Sequence, residues 1–139
     1  MGELNEDRIR GRLNDISQSI SRLRQILAMD REAFLADQDS QDIARSRLLT
    51  AIEAALNLCF HVAAKKLRRV PEEYAQCFTI LAEANLISRT LAERLGAMAR
   101  FRDLLVHLYW NVDYGQVYDI LPNNLEDLED FATETSTWV

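Results

Sequence analysis

Apolar residues recur at alternating steps of four and three along the first part of the chain: Ile9, Leu13, Ile16, Ile20, Leu23 and Leu27. That spacing places one side chain per turn on a single stripe of an α-helix. A half-buried strand, with its period of two, cannot produce it. The stripe predicts an amphipathic helix of about 25 residues whose first turns are weakened by Gly11. Residues that punctuate turns are scarce, with four Gly and two Pro in 139 residues. A turn-rich all-β fold and a collagen-like or disordered chain are therefore excluded.

The same reasoning organises the rest as one domain, residues 1–139. Asp30 and the DQDSQD stretch supply turn and N-cap chemistry around a short apolar element at 32–36. A second helix spans about Gln41 to Lys66 on a wide stripe of Leu48, Leu49, Ile52, Ala55, Leu56, Cys59, Phe60 and Ala63. A third is expected to start at Pro71, with Glu72 and Glu73 in its first turn. Ser88 is placed to cap a fourth, carrying Leu91, Leu95, Met98, Phe101 and Leu105. Asn111 to Asp113 read as a break, with Asp113 capping a last helix from Tyr114 that Pro122 should kink or split. Residues 132–139 read as a frayed tail. About five amphipathic helices joined by short connections predict an all-α antiparallel bundle.

Charge and cysteine usage narrow the class. The net charge of −6 divides into −3 over residues 1–43, +5 over 44–102 and −8 over 103–139. A polyanion is drawn to the middle of the chain and repelled by its end, so a nucleic-acid site must be local rather than a broad basic face. No apolar run approaches the roughly 18 residues of a membrane span. The opening MGELNEDRIRGR has no apolar core, so no secretory signal is expected and the chain reads as a soluble, cytoplasmic protein. Cys59 and Cys77 lie in apolar surroundings without a CxxC pattern, which predicts two reduced core thiols.

Chemistry-bearing residues crowd together in one place, RFRDLLVHLYWNVDYGQVY at 100–118. Asp103 and His107 are four apart on one helix face, so a carboxylate can hydrogen-bond the imidazole. Arg102 and Tyr109 are separated by only about 20° around a helix and about 10 Å along it. Arg102 and His107 are about 140° apart, so one straight helix does not aim both at one atom. RNA carries its own nucleophile, the 2′-OH. Metal-free cleavage needs a base, an acid and a cation at the phosphate. Histidine suits either proton transfer and arginine suits the phosphate; a second copy across a two-fold axis would supply a second imidazole.

At these residues the chain resembles the HEPN superfamily, and within it the HepT-like toxins of HepT/MntA toxin–antitoxin pairs. The pattern is Arg-x4-His-x-Tyr, read here as Arg102-DLLV-His107-Leu-Tyr109, followed by Asp113 and Tyr114 opening the last helix. The resemblance covers most of the chain. It implies a helical homodimer, with Arg102 and His107 cleaving RNA at the dimer cleft without metal or other cofactor. Asp103 stands where the family commonly has Asn, and there it would support His107; Leu108 stands where a polar residue is common. The implied partner is an MntA-like minimal nucleotidyltransferase that transfers AMP to Tyr109, in a complex or a higher assembly. Bulky anionic groups there would occupy the place of RNA phosphate.

Other features have simpler readings. His61 reads as a packed or partly exposed helix residue, and Trp110, Tyr114 and Tyr118 as packing rings. KKLRR at 65–69 reads as a solvated helix C-terminus and the acidic final third as a solvated face. Two other function classes stay open: a non-catalytic binding subunit of a nucleotidyltransferase, and a carboxylate-bridged metal bundle, for which the chain lacks any Glu-x-x-His pair.

Overall fold

A computed structural model describes residues 4–107 and 111–138. Among them lie six helices and no strand: α1 (Glu6–Leu27), α2 (Arg31–Leu35), α3 (Gln38–Lys65), α4 (Tyr74–Glu83), α5 (Arg89–His107) and α6 (Tyr114–Ser136). The chain is the all-α bundle its periodicity predicts, with five long helices and the one-turn α2 over the expected short element. Asn5 caps α1, its Oδ1 accepting from the Arg8 N–H at 3.1 Å. The predicted stripe is the buried face of α1, with Ile9, Ile16 and Leu23 fully enclosed and Leu13 and Leu27 packed at its edge. That face lies along α3.

α3 is the central element and packs against each of the other five helices. By length and composition it is apolar enough to cross a membrane, but 61 % of its most apolar 18-residue window is buried inside the bundle. Its Ala44, Ala51, Ala54, Ala55 and Ala63 let neighbouring backbones approach closely, while Leu48, Ile52 and Leu58 fill the spaces between them. Burying each of those larger side chains is worth about 1.5–3 kcal/mol. α4 ends in a Schellman motif. Asn85 sits in the left-handed region at φ 60°, and Leu86 N–H donates to Leu81 O at 3.0 Å. Ser88 caps α5 and Asp113 caps α6 as expected, through Leu91 N–H at 3.0 Å and Gln116 N–H at 3.1 Å. Tyr114 and Tyr118 are packing rings, both set against the buried Phe34 of α2.

Four expectations are corrected. α4 starts at Tyr74 rather than Pro71. Glu73 is extended (φ −146°, ψ 164°), and the Gln76 side chain accepts from the Glu72 N–H, drawing that segment into a turn. Pro122 does not split α6, which runs unbroken because Val117, Leu121, Leu125 and Leu128 on both sides of it are fully buried. The tail is not frayed over its described part. α6 continues to Ser136, Thr135 is buried with its hydroxyl donating to Phe131 O, and Trp138 stacks edge-on against Phe131 at 6.1 Å. Cys59 and Cys77 are joined as a disulfide with Cα atoms 6.1 Å apart, within the usual range for such a link. Sequence spacing was uninformative here, because the crossing of α3 and α4 decides which cysteines meet.

His61 proves to be a structural residue, only 5 % exposed. Its Nε2 accepts the backbone N–H of Asn5 at 2.9 Å, so α3 helps to cap α1, and Arg8 Nη1 lies 3.4 Å from Nδ1. Burial, reinforced by the positive charges of Arg8 and Lys65, lowers its pKa below the ordinary 6.5. The folded protein therefore resists protonation that the unfolded chain accepts. The His61 contribution is complete above pH 6.5 and is lost as pH falls below it, at up to about 1.4 kcal/mol per pH unit. Urea unfolding at pH 7.0 and 5.5 should show this loss in the native protein and its disappearance in His61→Gln. An identical pH dependence in both would rule out the imidazole as its source.

Candidate active site

α5 carries the motif, and the bundle holds its C-terminal half from two sides. Arg102 points inward to α3 and α4, with a side chain only 16 % exposed. Its Nε donates to Glu53 Oε1 at 2.6 Å, and its Nη1 donates to Asp103 Oδ1 at 3.1 Å. The guanidinium carbon stands 5.0 Å from the centre of the Tyr74 ring, which is itself braced edge-on by Phe60 at 5.9 Å. Burial acts to lower the Arg102 pKa, but the bonds to Glu53 and Asp103 outweigh it and the net shift is upward. The cation is permanent.

His107 closes the last turn of α5 and is exposed, with no hydrogen bond or ion pair among the described residues. The backbone beneath it is fixed by Arg45 of α3, whose Nε and Nη2 both donate to Leu105 O at 3.1 and 3.0 Å. That carbonyl belongs to the last described turn of α5. The guanidinium adds donors and positive charge at the negative end of the helix dipole.

The structure thus brings Arg102 and Asp103 together, and no hydrogen bond joins either to His107. The expected Asp103–His107 bond is replaced by Asp103–Arg102, in which the adjacent guanidinium is a charge-assisted donor to the carboxylate. Tyr109, with Leu108 and Trp110, lies outside the described residues. Sequence reasoning missed Glu53, Tyr74 and Arg45, which meet α5 only through the fold. One signal for Glu53 was available: it is the sole acidic residue between Asp42 and Glu72, in a stretch whose neighbours Ile52 and Ala54 are buried.

An open groove of about 460 Å³ runs beside Arg102, lined by Phe60, Pro71, Glu72, Glu73, Tyr74, Ala75, Ala99, Arg100 and Asp103. Lys65, Lys66 and Arg68 are exposed on the segment leading into it. Among the described residues, no group of three or more His, Cys, Asp or Glu side chains is arranged to hold a metal ion. The site therefore offers a preset cation, an accessible imidazole and an adjoining groove: the parts for binding a phosphodiester and moving a proton at it.

Residues 16–135 match the model of the family described as Ribonuclease HepT-like. The chain belongs to that family. Among curated HepT-like proteins, the mRNA nuclease HepT of Shewanella oneidensis is 29 % identical over 125 residues, covering 90 % of this chain and 93 % of that one. Among solved structures, the tri-AMPylated HEPN toxin of Shewanella oneidensis, in complex with its MNT antitoxin, superimposes with a TM-score of 0.86 at 27 % identity. It covers 94 % of this chain and 98 % of that one. A toxin–antitoxin crystal structure with AMP-PNP gives a TM-score of 0.84 at 27 % identity over 93 % of this chain and 98 % of that one. The HepT-like assignment thus rests on both sequence and fold.

The role assigned to Arg45 has a direct check. Arg45→Met removes both of these bonds to the Leu105 carbonyl and should lower unfolding free energy by about 1–2 kcal/mol. It should also accelerate amide hydrogen exchange in the last turn of α5. Unchanged exchange there would show that the clamp does not hold the helix end.

Proposed function

We propose that this chain is the toxin of a toxin–antitoxin pair, a metal-independent endoribonuclease acting through Arg102 and His107 in the cytoplasm. The observation that carries this reading is the state of Arg102. In a HepT-like chain, the motif arginine is largely buried, permanently charged and held against α3 and α4, and its contacts Tyr74 and Asp103 line a groove. The reading is supported by the relatives described above, one named an mRNA nuclease and another a toxin in complex with an MNT antitoxin.

The chemistry follows from what RNA supplies. Its 2′-oxygen gives up a proton to a base and attacks phosphorus, while the bond from phosphorus to the 5′-oxygen breaks and that oxygen takes up a proton. A 2′,3′-cyclic phosphate and a free 5′-hydroxyl result. Arg102 stabilises the charge that grows on the non-bridging oxygens, and its preset geometry means no reorganisation is needed as that charge develops. His107, exposed at the helix end, serves a proton transfer. With the two residues on different sides of α5, a homodimer that faces two copies of the helix end gives one cleft two guanidinium groups and two imidazoles. AMP transfer to Tyr109 by a partner nucleotidyltransferase would place anionic groups next to that cleft and silence it.

Purified protein should cleave RNA in EDTA, and His107→Ala or Arg102→Ala should slow cleavage by about 10²- to 10⁴-fold. A wild-type protein inert on every RNA, yet co-purifying with a nucleotidyltransferase, would replace this reading with the non-catalytic binding subunit. Co-expression with the partner should add adenylyl mass to the peptide holding Tyr109 and not to that of Tyr109→Phe. Asp103→Asn keeps an acceptor for Arg102 while removing a negative charge beside the substrate. It should lower KM for RNA several-fold, by an amount that shrinks as salt rises. A KM that does not fall at low salt would show that Asp103 does not face the phosphate.

A further inference from the structure

We propose that Glu53 is the positioning residue for Arg102: it fixes the guanidinium so that one edge is presented to the scissile phosphate. The inference rests on the ribonuclease reading and adds a residue that the motif does not contain.

The geometry is specific. Glu53 is on α3 and Arg102 is on α5, so their 2.6 Å bond spans two helices and constrains Arg102 from outside its own element. Glu53 engages Nε, the inner end of the guanidinium, and Asp103 takes one N–H of Nη1. Among the described residues, Nη2 donates no hydrogen bond, which leaves its N–H groups to meet a phosphodiester oxygen. The Tyr74 ring, 5.0 Å from the guanidinium carbon, limits rotation of the plane.

Stability alone does not account for this arrangement. The Glu53 side chain is 43 % exposed, and pairs open to water to that degree add little to folding. Held in place, the arginine has its four flexible bonds ordered before substrate arrives. Left free, that ordering would be required in the transition state. The carboxylate also places negative charge near an incoming polyanion, so its removal affects binding and turnover in opposite directions. That opposition separates positioning from a structural role.

Cleavage kinetics on an RNA oligonucleotide should therefore split. Glu53→Ala should lower kcat by about 10- to 100-fold while KM stays the same or falls. Glu53→Met, which fills a similar volume without an acceptor, should behave alike. Glu53→Gln retains an oxygen for the Arg102 Nε–H and should recover kcat to within about threefold of wild type, with a lower KM. Either of two results overturns the proposal: kcat within about twofold of wild type in Glu53→Ala and Glu53→Met, or Glu53→Gln as slow as Glu53→Ala. The second result would mean that the carboxylate itself takes a proton. A readout independent of activity is the Arg102 Nε–H resonance in ¹H–¹⁵N spectra. It should be dispersed and slow to exchange in wild type and Glu53→Gln, and collapsed to the free-arginine position in Glu53→Ala. Wild-type protein that shows this resonance but cleaves no RNA would sink the ribonuclease reading while leaving the positioning intact. Its absence from wild type would sink the positioning itself.

Discussion

The motif helix is held at two points by one neighbour. Arg45 and Glu53 of α3 are eight residues apart, about 12 Å along the helix axis. They grip α5 at Leu105 O and at the Arg102 guanidinium respectively. The higher-numbered residue of α3 meets the lower-numbered residue of α5, so the two contacts also set the antiparallel register of the pair. The rest of the fold keeps α3 where it can do this. α1 covers one of its faces, α4 and α6 cover others, and the Cys59–Cys77 link ties it to α4, the helix that supplies Tyr74.

On the proposed reading, this arrangement lets a helix end serve as a reaction site. Terminal turns fray because their carbonyls lack partners, and a catalytic group on a frayed turn is poorly aimed. Here the arginine sits one turn inside the helix, pressed between carboxylates and an aromatic face, while the histidine is exposed two residues beyond a clamped carbonyl. The two side chains therefore have opposite characters. One is largely buried and always charged; the other is exposed to solvent. On the proposed reading, phosphodiester cleavage uses both characters, and α5 carries the two residues five positions apart.

What the sequence disclosed and what it hid divide along one physical line. Features set by a few neighbouring residues were legible: the stripe from Ile9 to Leu27, the caps at Ser88 and Asp113, the break before Tyr114, and the Arg102–His107–Tyr109 pattern. Features set by distant packing were not. Pro122 lowers local helix propensity, but buried residues on both sides of it hold α6 together. Residues 132–138 look polar and terminal, yet Thr135 and Trp138 are held against Phe131. Asp103 was assigned to His107 by its spacing of four, and it lies instead on Arg102. Glu53 and Arg45 are ordinary charged residues of a core helix until the fold lays α5 across them.

Cleavage as proposed requires guanidinium and imidazole from two copies of the chain to meet in one cleft. Mixing inactive Arg102→Ala protein with inactive His107→Ala protein, under conditions where subunits exchange, tests this directly. Hybrid dimers would hold one Arg102 and one His107 in the shared cleft, so the mixture should regain RNA cleavage that neither parent has. If hybrids form, as seen by native mass spectrometry, and the mixture stays as inert as its parents, the shared cleft is contradicted.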